Sequence, residues 1–154
     1  MILPNQQLKV ALLKHCIDYA SERIATARLA MEAAQAAANA EEKSSAGDKY
    51  ETTRALMQIE RDKAAEQLEE ALKLRQVVES IRPDVKNNKI TLGSLILTDN
   101  VHFYIAISAG KVTIDDQVFL TISAQAPIAL TLSKLKQGDR FDFNKQLLTI
   151  LEVV

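Results

Sequence analysis

The sequence has little of what usually marks a site. It has one cysteine, Cys16, in 154 residues. A lone cysteine cannot close an internal disulfide, so a reducing, cytoplasmic home is expected. It has no charge of one sign to spare. With 19 basic and 20 acidic side chains the net charge is −1, which argues against a dedicated DNA- or RNA-binding domain and against an acidic disordered chain. No apolar run reaches about 18 residues, the length of a membrane span. Residues 1–7 lack a basic segment followed by an apolar stretch, so no signal peptide is expected. The two histidines, His15 and His102, stand on different expected elements, and with one cysteine they form no zinc spacing. Scattered glycines exclude a phosphate loop.

Glycine and proline are scarce and unevenly placed. There are four Gly and three Pro, and between Pro4 and Pro83 the only one of either kind is Gly47. Alanine crowds the first half. The composition changes near Pro83, which suggests a division into residues 1–82 and 83–154.

The first part reads as two long helices. Val10, Leu13, Ile17, Ala20, Ile24, Ala27, Met31, Ala34 and Ala38 recur in steps of three and four, the pattern of one apolar stripe and of a heptad seam. A second stripe runs through Met57, Ala64, Leu68, Ala71, Leu74 and Val78. Pro83 should stop this helix, because proline disfavours helix in the residue before it. Between the stripes, residues 39–50 form a short connection, and short connections join antiparallel neighbours. Ser45 and Asp48 fit a helix-start capping box. An antiparallel coiled-coil hairpin with its tip near 39–50 is expected.

The second part reads as a small β-rich domain. Leu92–Thr98 and Val101–Ser108 are strand-like around a turn at Thr98-Asp99-Asn100. Val112–Ile114 and Val118–Ile122 flank Asp115-Asp116, and Arg140–Phe143 and Leu147–Val153 flank Asn144-Lys145, which reads as two hairpins. Pro127 opens a short helix to Leu132. The whole is α+β, with an antiparallel sheet expected in the second domain.

The acidic residues near the tip are the one chemical candidate. Glu41, Glu42, Asp48 and Glu51 lie within a short span. Asp48 and Glu51, three apart, share a helix face. Two carboxylates there could hold Mg²⁺ and leave its other positions to water or to a partner's ligands. The same acids also suit a plain helix start, through capping and the dipole. His15 reads as a surface or packing residue, Cys16 as an inert packing thiol, and Lys134, Lys136 and Arg140 as a solvated basic surface.

Two stretches resemble the bacterial Gre transcript-cleavage factors. One is Gly47-Asp48-Lys49-Tyr50-Glu51-Thr52-Thr53-Arg54, similar to that family's tip. The other is Ile122-Ser123-Ala124-Gln125-Ala126-Pro127-Ile128-Ala129 with the run to the C-terminus, similar to its Ser-Pro-Ile-Ala segment, with Ala126 in place of the serine. The resemblance implies a C-terminal domain of FKBP-like fold, docking on RNA polymerase at the segment Ala126, Pro127 and Ile128, and a hairpin entering the secondary channel. There, Asp48 and Glu51, with Glu41 and Glu42 as alternatives, would help hold a catalytic Mg²⁺ shared with the polymerase, and Arg54 would contact the partner. Such a factor stimulates the polymerase's own cleavage of backtracked RNA and catalyses nothing alone. It meets nascent RNA only indirectly, and it needs no membrane and no small-molecule substrate. Aligning Gly47 and Asp48 places Asp48 and Glu51 on the two functional acids. Aligning Tyr50 and Arg54 places Lys43 and Ala46 there instead. The second alignment points to a channel-binding regulator without cleavage activity. A prolyl isomerase or chaperone is a third reading, and it requires Phe103, Tyr104, Phe119, Phe141 or Phe143 to line an open apolar pocket.

Overall fold

The computed structural model describes residues 4–44 and 47–154, with side chains at 4–40 and 51–154. Two long helices, α1 (Asn5–Ser44) and α2 (Gly47–Glu79), precede a six-stranded sheet and one short helix. The strands are β1 (Leu95–Thr98), β2 (His102–Ala106), β3 (Gly110–Ile114), β4 (Gln117–Ser123), β5 (Arg140–Phe143) and β6 (Gln146–Val153), with α3 (Pro127–Leu132) between β4 and β5. The class is α+β. Among the described residues no helix is long and apolar enough to cross a membrane. By compactness the chain divides into Met1–Asp18 with Gln76–Val154, and Tyr19–Arg75.

In the unit Tyr19–Arg75 the two helices run antiparallel. Residues 19–27 share one groove with residues 67–74, and residues 34–39 share another with residues 54–61. The buried positions are mostly alanines spaced by seven. Ala20, Ala27 and Ala34 on α1, and Ala64 and Ala71 on α2, are each less than a tenth exposed. Larger seam residues such as Met31, Met57 and Leu68 are half-buried. Interaxial distance follows the size of the side chains at the contact, so an alanine seam brings the helices close. This is the stripe expected from the sequence.

The stripe departs from expectation at its N-terminal end. Val10 and Ile17 are 51% and 40% exposed, while Leu8, Leu12, Leu13 and Cys16 are buried. The buried face turns here because a different surface covers it. The first turns of α1 lie against the sheet of their own unit, where His15 Nε2 meets Ala109 O at 2.9 Å and Lys9 Nζ donates to Val85 O at 2.7 Å. The α2 helix also ends earlier than Pro83 requires. It stops at Glu79, and Val77 O near its end accepts both from Ser80 Oγ at 2.6 Å and from Ser80 N at 3.1 Å.

The sheet order is β3-β4-β2-β1-β6-β5. It is mixed, which corrects the expected all-antiparallel sheet: β2 and β4 pair in parallel from His102↔Phe119 to Ala106↔Ser123. The cause lies in the connection from β2 to β3. The chain leaves β2, skips one strand position and forms β3 at the edge. The hairpin then returns β4 into the gap. Local bonds hold the crossing. Thr121 Oγ1 accepts from Ala109 N at 3.0 Å and donates to Gly110 O at 2.7 Å, and Gly110 sits at φ +83. Both two-residue hairpin turns have positive φ at both positions, 50 and 63 at Asp115-Asp116 and 48 and 64 at Asn144-Lys145. These are the values a type I′ turn needs to match strand twist.

All five side chains of β2 are buried, as they must be in a central strand covered on both faces. Phe103 and Ile105 join Ile96, Ile122, Leu148 and Ile150 under Ala129 and Leu132 of α3. Phe103 meets Phe141 and Phe143 edge-on, with centroids 5.7 and 5.1 Å away. Tyr104 points to the opposite face, toward Cys16 of α1. On β6 the register against β1 slips between Leu97 and Thr98, leaving Leu151 as an extra, 53% exposed residue.

Candidate functional site

Glu41, Glu42 and Asp48 lie outside the residues whose side chains are described, as does the Ser45–Asp48 capping box. Positions 48 and 51 both belong to α2, so the helix puts them on one face, three residues apart. Glu51 is exposed. Arg54, one turn further, is also exposed and lines a groove of about 180 Å³ with Arg61, Gln35, Asn39 and Gln58 over a floor that includes Ala34 and Met57. The amides along this groove are ordered within their own helices. Gln35 Nε2 donates to Asn39 Oδ1 at 3.0 Å, and Gln58 Nε2 donates to Asp62 Oδ1 at 2.9 Å. A larger groove of about 840 Å³ lies toward the other end of this unit, between Tyr19, Arg23 and Thr26 on α1 and Gln67 and Leu74 on α2. Arg23 rests over the Tyr19 ring, 4.8 Å from its centroid. Among the described residues no three His, Cys, Asp or Glu side chains gather as a metal cage.

The segment Ala126, Pro127 and Ile128 opens α3. Ala126 is the N-cap in extended conformation and offers no side-chain cap, with Pro127 at the first turn. Ala126 N donates to Ser123 O at 3.1 Å, and Leu130 N to Ala126 O at 3.0 Å, the first bond of the helix ladder, so the N–H groups of the first turn gain nothing from the Ala126 side chain. Pro127 is exposed, Ile128 is half-buried against the core, and Leu130 is 54% exposed. One face of α3 therefore anchors the sheet while the other presents apolar atoms to solvent.

Lys9 and His102 are buried polar groups that the sequence does not mark, and the core aromatic Tyr104 adds a third. Lys9 is 1% exposed and its Nζ reaches two carbonyls, Val85 O at 2.7 Å and Val154 O at 3.3 Å. Burial lowers its pKa, and Asp84 partly offsets this. The apolar neighbours Leu8, Leu12 and Leu13 hinted at a buried face, but nothing local showed that a lysine would join it. His102 is buried, accepts Thr98 N–H at Nδ1 over 3.1 Å, and lies 4.9 Å from the Phe119 ring. That bond puts the proton on Nε2 in the neutral ring. Burial lowers its pKa. Tyr104 is fully buried, and its hydroxyl has no hydrogen-bond partner among the described residues. Its pKa is raised by burial, then by Cys16.

Cys16 is fully buried and its thiol is pushed up to about 11 by desolvation, against a smaller opposing hydrogen bond at the Ile107 backbone. A neutral, enclosed thiol is a poor nucleophile, so Cys16 serves packing. His15 likewise spends its Nε2 on Ala109 O. These groups hold α1 to the sheet and leave the two exposed regions, around Glu51–Arg54 and around Pro127–Leu130, as the candidate surfaces. No family model matches the chain, and no curated protein matches it either.

Proposed function

We propose that the chain is a transcription elongation factor of the Gre type. It binds RNA polymerase and carries Asp48 and Glu51 into the secondary channel to stimulate cleavage of backtracked RNA. What supports the reading most is the combination of two features: a pair of long antiparallel helices, the second of which carries these acids at positions 48 and 51 near its start, and a small α+β unit whose exposed α3 begins at Ala126-Pro127-Ile128. In this reading the small unit has an FKBP-like fold, the factor works in the cytoplasm, and the polymerase owns the nuclease site. The Mg²⁺ is held jointly, with Asp48 and Glu51 supplying carboxylates and Glu41 and Glu42 lying near. Arg54 faces the channel wall, and nascent RNA is met only at the active site. The narrow alanine seam suits this role, since a slender hairpin enters a channel that a bulkier one would block.

The test is RNA shortening in stalled elongation complexes. Wild type should stimulate cleavage. Asp48→Ala with Glu51→Ala should lower stimulation by two or more orders of magnitude and leave polymerase binding intact. Absence of stimulation by wild type, with binding retained, would favour a second reading: a channel-binding regulator without cleavage activity. The alternative register on Tyr50 and Arg54, which puts Lys43 and Ala46 at the acid positions, supports that second reading. Absence of binding would sink both. An isomerase or chaperone built on the small unit is disfavoured, because Phe103, Tyr104, Phe119 and Phe141 are consumed by the core.

A further inference from the structure

We draw no further inference here: the strongest candidate, the groove on the helical hairpin lined by Arg54, Arg61, Gln35 and Asn39, carries nothing because nothing in the structure shows what covers it.

Discussion

At the scale of single residues, burial without charge makes the sheet unit sensitive to pH in both directions. His102 is kept neutral by desolvation, so its folded pKa lies below the ordinary value of 6.5. The unfolded chain then binds its proton first. The stability from this site is full above about pH 6.5 and is lost as pH falls through the lowered folded pKa. His102→Asn keeps an acceptor for Thr98 N–H but does not titrate. Urea unfolding between pH 7 and 5 should show a shallower loss for the variant, and parallel curves would remove His102 as the cause. Cys16 acts at the other end. Its folded thiol holds its proton to about pH 11, against 9.0 for the ordinary group, so the unfolded state gains by ionising first. Stability should fall between pH 9 and 11 by on the order of 2–3 kcal/mol. Tyr104 adds to this fall at higher pH, and Lys9, whose pKa is lowered, opposes it. The difference between wild type and Cys16→Ala isolates the thiol. That difference should stay constant to about pH 8 and shrink above 9, and a constant difference throughout would refute the assignment.

At the scale of elements, the turns decide the hairpins, and one of them carries a correctable strain. Lys145 sits at φ +64, where a side chain costs about 1–2 kcal/mol. Glycine there removes the strain, but the more flexible unfolded chain takes back about 0.4–1 kcal/mol. Lys145→Gly, which makes the favoured Asn-Gly pair, should therefore raise stability by roughly half a kcal/mol. A lower denaturation midpoint would contradict this. Most such elements were legible in the sequence because their causes are local. Pro127 to Leu132, Arg140 to Phe143 and the hairpins at Asp115-Asp116 and Asn144-Lys145 follow from residues within a few positions of one another, while their turn type is seen only in the structure. The parallel pairing of β2 with β4 was not legible, since it depends on which strand fills a gap left many residues earlier. Nor was the turned stripe of α1 legible. Val10 and Ile17 fit the heptad as well as Ala20 does, and only the surface covering each stretch separates them. The candidate site divides in the same way. That Pro127 would stand at a helix start follows from proline's missing N–H, whereas its exposure and the burial of Lys9 and His102 depend on segments brought together in space.

At the scale of the whole molecule, the proposed function assigns different tasks to different parts of one chain, and this makes the tasks separable. Leu130 is 54% exposed on α3 and is absent from the packed core. Leu130→Glu should therefore leave the fold intact, at a cost within about 0.5 kcal/mol for an exposed position. If α3 docks on the polymerase, a charge at its exposed apolar face is desolvated without a partner, and binding should weaken by tenfold or more. Cleavage at saturating factor should then match wild type, because the acids near the hairpin's turn are untouched. Asp48→Ala with Glu51→Ala should do the reverse, keeping the concentration for half-maximal effect and losing the maximum. Titrating each variant into stalled complexes measures both quantities at once. If Leu130→Glu lowers the maximum without moving the half-maximal concentration, α3 is not the docking element. If it moves neither, the exposed face of α3 plays no part in binding.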